Sequence, residues 1–163
     1  MDQLDTRIPF RVKVIAAAAA VSAAAFPGAA SAQSEGGLYI AGDGFGFRQA
    51  AEHGMAQNPG GGRFFLLTLP PDTSALTVTA TGALAAVRDR VVASNGVLLV
   101  CQRDIDNGKI NASSLVPGVV PVRGWPAVGA AELVNGRYFA GENPANLPES
   151  NDALRRLRAT CSY

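Results

Sequence analysis

The chain has little of what most reactive sites are built from. Its 163 residues include one histidine, two cysteines, two methionines and one tryptophan. A single histidine, His53, rules out a histidine-rich metal site. Two cysteines are too few for a four-thiolate zinc site or for a small fold framed by several disulfides. There is no Cys-x-x-Cys, which disfavours a thioredoxin-type mechanism, and no Gly-x-Ser-x-Gly elbow to support a Ser-His-Asp triad through His53. His53 lies off the apolar face of its segment and reads as a solvated surface residue. Neither a cofactor nor a metal is expected.

An excess of charge is missing too, once the start of the chain is set apart. Residues 1–13 hold Asp2, Asp5, Arg7, Arg11 and Lys13, whereas Val14 to Ala32 carries no charge and is mostly alanine. A charged start, an apolar run through Phe26 and the small-residue exit Ala30-Ser31-Ala32 are the three parts of a secretory signal. The run is too short and too alanine-rich for a membrane span, which needs about 20 strongly apolar residues. Pro27 and Gly28 interrupt it, and no Arg-Arg pair marks a twin-arginine route. A Sec-type signal cleaved after Ala32 is the expectation, with a periplasmic or secreted product starting at Gln33. Its removal takes three of 14 basic and two of 13 acidic residues, leaving 131 residues with 11 of each and no formal net charge. A neutral chain is a poor partner for nucleic acid or for an anionic membrane surface. At this size one core suffices, so residues 33–163 are expected to form a single domain.

Short apolar runs alternate with amphipathic ones along that domain. Leu38–Ala41 reads as a strand; Phe47, Ala51 and Met55 recur at a helical spacing; Phe64–Leu67 reads as a second strand. Leu84, Val87 and Val91 mark a second helix, with Arg88, Asp89 and Arg90 facing away, and residues 77–81 are open between strand and loop. Val97-Leu98-Leu99-Val100-Cys101 is an unbroken apolar run, the pattern of a strand covered on both faces. A helical turn at 111–115 leads to a fourth strand, Val119–Val122. Residues 124–148 read as an irregular excursion, with Tyr138-Phe139 as a fifth short strand. A helix of about twelve residues follows from near Pro148, with Leu154, Leu157 and Cys161 on its inner face and Arg155, Arg156 and Arg158 on its outer one. Strand–helix alternation of this kind predicts an α/β fold, a parallel sheet of four to five strands flanked by helices.

Several motifs fail on inspection. Gly42-Asp43-Gly44-Phe45-Gly46 follows a strand and opens a helix, but position 47 is phenylalanine where a dinucleotide fingerprint needs its third glycine. A tight turn is the better reading. Gly60-Gly61-Gly62-Arg63 lacks the Gly-Lys-Ser/Thr ending of a phosphate loop. Asp104, Asp106, Asn107 and Gly108 resemble a calcium loop, but the glycine comes one position early and Leu115 stands where glutamate belongs. Asn111-Ala112-Ser113 matches the glycosylation triplet, which also arises by chance.

What survives is Cys101. Chemistry in open parallel sheets gathers at the carboxyl ends of strands, and Cys101 ends the central one. Arg103 and Lys109 could favour its thiolate, with Asp104 and Asp106 opposing them. Asn95-Gly96-Val97-Leu98-Leu99-Val100-Cys101 together with Ile110 to Val119, including the step Leu115-Val116-Pro117-Gly118-Val119, resembles the core of the DsrE/DsrF-like family. The resemblance spans about residues 37–123; residues 124–163 form a carboxyl-terminal extension outside it. It implies a doubly wound three-layer fold, assembly as trimers or hexamers, and a persulfide carried at the position of Cys101 and passed to a sulfur-accepting partner protein.

Two readings of function remain open. In one, an exported protein pairs its only two cysteines, and a Cys101–Cys161 disulfide stabilises a binding or scaffold module. In the other, Cys101 is a persulfide carrier or redox thiol, a sulfurtransferase-like role, with Cys161 as its resolving partner.

Overall fold

A computed structural model describes residues 37–126, 132–134, 137–139 and 141–163. The expected signal segment, its cleavage point and part of the 124–148 excursion lie outside those residues. The described residues fall in one compact unit. Its core is a four-stranded, wholly parallel sheet in the order β1 (Leu38–Ala41), β2 (Phe64–Thr68), β3 (Gly96–Cys101), β4 (Val120–Val122). Helix α1 (Phe47–Gln57) joins β1 to β2, and α2 (Gly82–Ala93) joins β2 to β3. A five-residue helix, α3 (Gln102–Asp106), leaves β3 with no intervening loop.

Alternation along the strands explains why they read as continuous apolar runs. Tyr39, Ala41, Phe64, Leu66, Leu98 and Val100 point to one face, where they pack with Phe47, Ala50 and Ala51 of α1 and Val87 and Val91 of α2. Leu38, Ile40, Phe65, Leu67, Leu99, Cys101 and Val122 point to the other. That second face is covered by Leu147 and by α4 (Asn151–Thr160) through Ala153, Leu154 and Leu157. The strands are added in one direction, and right-handed crossovers then place both linking helices on one face. The third layer is therefore the work of the carboxyl-terminal extension rather than of a reversed winding. Both faces being covered, the sheet can be apolar throughout. Among the described residues no helix is long and apolar enough to cross a membrane.

Several local expectations change. The short run at Tyr138-Phe139 does not join the main sheet: β6 (Arg137–Phe139) pairs antiparallel with β5 (Glu132–Val134) in a separate hairpin. Residues 77–81 hold one isolated bridge, Thr77 to Leu115. Helix α4 starts at Asn151 rather than near Pro148, because Ser150 is its N-cap and its hydroxyl accepts from the Ala153 N–H at 3.4 Å. His53 is not solvated but half-buried, its ring 5.6 Å from that of Tyr39. Arg158 is not on the outer face of α4: it is 1% exposed.

The rejected motifs have structural roles. Gly42 sits at φ +100° with Leu69 pressed against it, a turn position that needs glycine. The amino end of α1, where a pyrophosphate would bind, is already capped, since the Phe47 N–H donates to Asp72 Oδ1 at 3.1 Å. Asp104 and Asp106 belong to α3 rather than to a loop. The Asn111 side chain accepts from Ser113 N at 3.1 Å and so caps the turn at Ala112–Ser114.

Candidate functional site at the end of β3

Cys101 closes β3, and Cys161 follows directly on α4. Their sulfurs are 2.01 Å apart and their Cα atoms 5.1 Å apart, across 60 residues of sequence. Both are fully buried, in the apolar cluster that also holds Leu99, Val122, Leu154 and Leu157. Cys101 ends the strand as expected, but its inward pleat aims the sulfur beneath α4 rather than at the open rim. Among the described residues there is no free cysteine.

Neither basic candidate near Cys101 is turned towards it in an ion pair or hydrogen bond. Arg103 Nε lies 3.3 Å and Lys109 Nζ 3.7 Å from Asp104 Oδ1. Arg103 also donates through its terminal nitrogen to the Ser162 carbonyl at 2.5 Å. The Asp104 side chain is 2% exposed, and among the described residues its Oδ2 has no hydrogen-bond partner. A buried carboxylate between two cations draws their charge to itself, which is why these bases hold α3 and the following turn together.

The residues after α4 form a strap over this end of the sheet. Trp125 N–H donates to the Arg158 carbonyl at 3.2 Å, and Tyr163 N–H donates to the Trp125 carbonyl at 2.7 Å. Gly124 touches the backbone of Cys161 and Ser162 so closely that any Cβ would overlap the Cys161 carbonyl. At the end of the strap Tyr163 donates its hydroxyl to Asp106 Oδ2 at 2.6 Å, while Gln102 Nε2 donates to Asp106 Oδ1 at 2.8 Å. The Tyr163 bond, then the Gln102 bond, hold the Asp106 carboxyl below its ordinary value, and the same contact raises the Tyr163 phenol.

A pH dependence follows. Asp106 keeps its stabilising bonds above its ordinary value of 3.8 and loses them as pH falls through its lowered folded value. Tyr163 contributes in full below its ordinary value of 10.0 and loses that contribution as pH rises through its raised folded value. Tyr163→Phe is therefore expected to bring the Asp106 pKa back up towards 3.8, as followed by carboxyl carbon NMR during an acid titration. An unchanged Asp106 titration would mean that the strap does not reach α3 in solution.

Comparison of the chain with family models, with curated proteins and with solved structures finds no match. What the site can do is thus read from its chemistry alone. It offers a buried sulfur pair, a buried carboxylate neutralised by two bases and a strap tied at both ends. The Asp104 anchor and the Gly124 contact were not foreseen from sequence. Asp104 gave a signal only as part of a failed calcium loop and as a charge opposing Arg103 and Lys109, and Gly124 gave none.

Proposed function

We propose that the mature chain is an exported, DsrE-like binding or scaffold module, locked by a Cys101–Cys161 disulfide, with no chemistry at sulfur. The observation that carries this reading is the burial of both sulfurs, at disulfide distance, under α4. A persulfide carrier needs an accessible sulfur and a means of favouring its thiolate. Here Arg103 and Lys109 are committed to Asp104. An oxidising compartment outside the cytoplasm, the location read from residues 1–32, is where such a bond persists.

Intact mass and thiol titration of the purified mature protein test the proposal. The native protein is expected to show no reactive thiol and to gain no sulfur on incubation with polysulfide. Two thiols should appear only after reduction under unfolding conditions. A gain of one or more sulfur atoms that Cys101→Ser abolishes would establish the relay reading instead.

A further inference from the structure

We propose that Asn107 is a site of self-modification, where the fold leaves an Asn-Gly step free to close into a succinimide and reopen as aspartate and isoaspartate. The chemistry needs only water. The Gly108 amide nitrogen attacks Cγ of Asn107, the new N–C bond closes the ring, and the carboxamide nitrogen leaves as ammonia with the Gly108 proton. Water then adds to either ring carbonyl. One opening gives aspartate; the other gives isoaspartate, with the main chain running through the former side-chain carbon. Nothing is oxidised or reduced. Glycine in the following position matters because it has no Cβ to hinder the attack or to restrict its own backbone.

Sequence offers the same dipeptide at Asn95-Gly96, and the structure separates the two. Asn107 and Gly108 are both exposed, at the end of the five-residue helix α3. Gly108 sits at φ +71° with nothing within 4 Å of its open side. Its N–H donates to the Ile105 carbonyl at 3.0 Å, and the attack has to break that one bond. The last turn of so short a helix opens at little cost. Asn95 also reaches solvent, but its Nδ2 donates to the Gly61 carbonyl at 3.1 Å. Gly96 is the first residue of β3, opposite Phe64 of β2, with Val91 and Phe64 pressed against it. Ring closure there requires the start of a central strand to leave the sheet. A third such step, Asn135-Gly136, lies outside the described residues.

Ageing the mature, oxidised protein in warm, mildly alkaline buffer tests the proposal. Samples taken over time are digested at acid pH, where the ring does not form, and the peptides are mapped by mass. The Asn107 peptide should gain the mass that separates an acid from an amide and split into two products of equal mass, aspartate and isoaspartate. It should convert at least about tenfold faster than the Asn95 peptide, a ratio that corresponds to about 1.4 kcal/mol of extra opening at Asn95. In urea, with the fold removed, the two peptides should convert at similar rates. Asn107→Gln should abolish the products at that position. Three results would overturn the proposal: equal conversion of Asn95 in the folded protein, no conversion of Asn107 over a time in which the unfolded chain converts, or a difference that persists in urea. None of these touches the sulfur pair, so the inference stands apart from the scaffold reading.

Discussion

Replacing both cysteines by alanine is expected to lower the stability of the mature protein by about 4 kcal/mol. Cys101 and Cys161 are 60 residues apart, and in the chain-entropy account a closed loop of that length restricts the unfolded ensemble by about that amount. Alanine is the proper replacement, because both sulfurs lie in an apolar cluster with no exposed surface and serine would bury two hydroxyls there. Urea unfolding is the measurement. With a slope of about 1–3 kcal/mol/M, the midpoint should fall by about 2 M, and reduced wild-type protein should fall with it. The loss should be felt first in α4, which among the described residues is the one α-helix packed on the second face of the sheet. That face would still be covered by Leu154 and Leu157, so the variant should fold and remain cooperative. A change below about 1 kcal/mol would show that the link does not constrain the chain, and the structural reading of the pair would lose its main support.

The sheet was legible because its strands bury both faces and therefore carry unbroken apolar runs. Leu98 and Val100 face α1 and α2, Leu99 and Cys101 face α4, and no polar residue interrupts them. The helices over the first face were legible from their own spacing, as at Val87 and Val91. The second face was harder, since its cover is assembled from distant pieces. The hairpin of β5 and β6 is made of three-residue strands, too short for a periodic signal. The pairing of the cysteines stood as one of two alternatives: sequence put Cys101 at a strand end and Cys161 on an apolar stripe, but not the direction in which the sulfur points. Arg103 and Lys109 were read as neighbours that could favour the Cys101 thiolate, whereas the ion pairs they make are with Asp104. The carboxylate of Asp104 outcompetes a neutral sulfur pair for two cations, and this is an outcome of three-dimensional proximity.

Arg158 is where a rule of pattern fails for a physical reason, and it carries the second large effect. Sorting α4 by polarity puts all three of its arginines in solvent. By geometry Arg158 stands four residues after Leu154 and one after Leu157, on the buried stripe. It can be there because Glu142 meets it with two bonds: one terminal nitrogen donates to Oε1 at 2.8 Å, the other to Oε2 at 2.9 Å. The guanidinium also donates to the Arg123 carbonyl at 2.5 Å, and the Arg123 N–H donates to Glu142 Oε1 at 2.6 Å. Side-chain exposure is 2% for Arg158 and 8% for Glu142. Arg158→Met should therefore cost about 3–5 kcal/mol, because it removes the cation that offsets a buried carboxylate. An arginine in solvent would cost within about 0.5 kcal/mol. The double variant Arg158→Met with Glu142→Leu removes both charges and should recover most of that loss, since an apolar pair of similar volume is tolerated where half an ion pair is not. Urea midpoints of the two single variants and the double variant close the cycle. Strong coupling between the two sites is expected, and additive losses would mean that the pair does not act as a unit in solution. Amide exchange should also quicken at Trp125 and Tyr163 in the single variant, because Trp125 hangs from the Arg158 carbonyl and Tyr163 from Trp125.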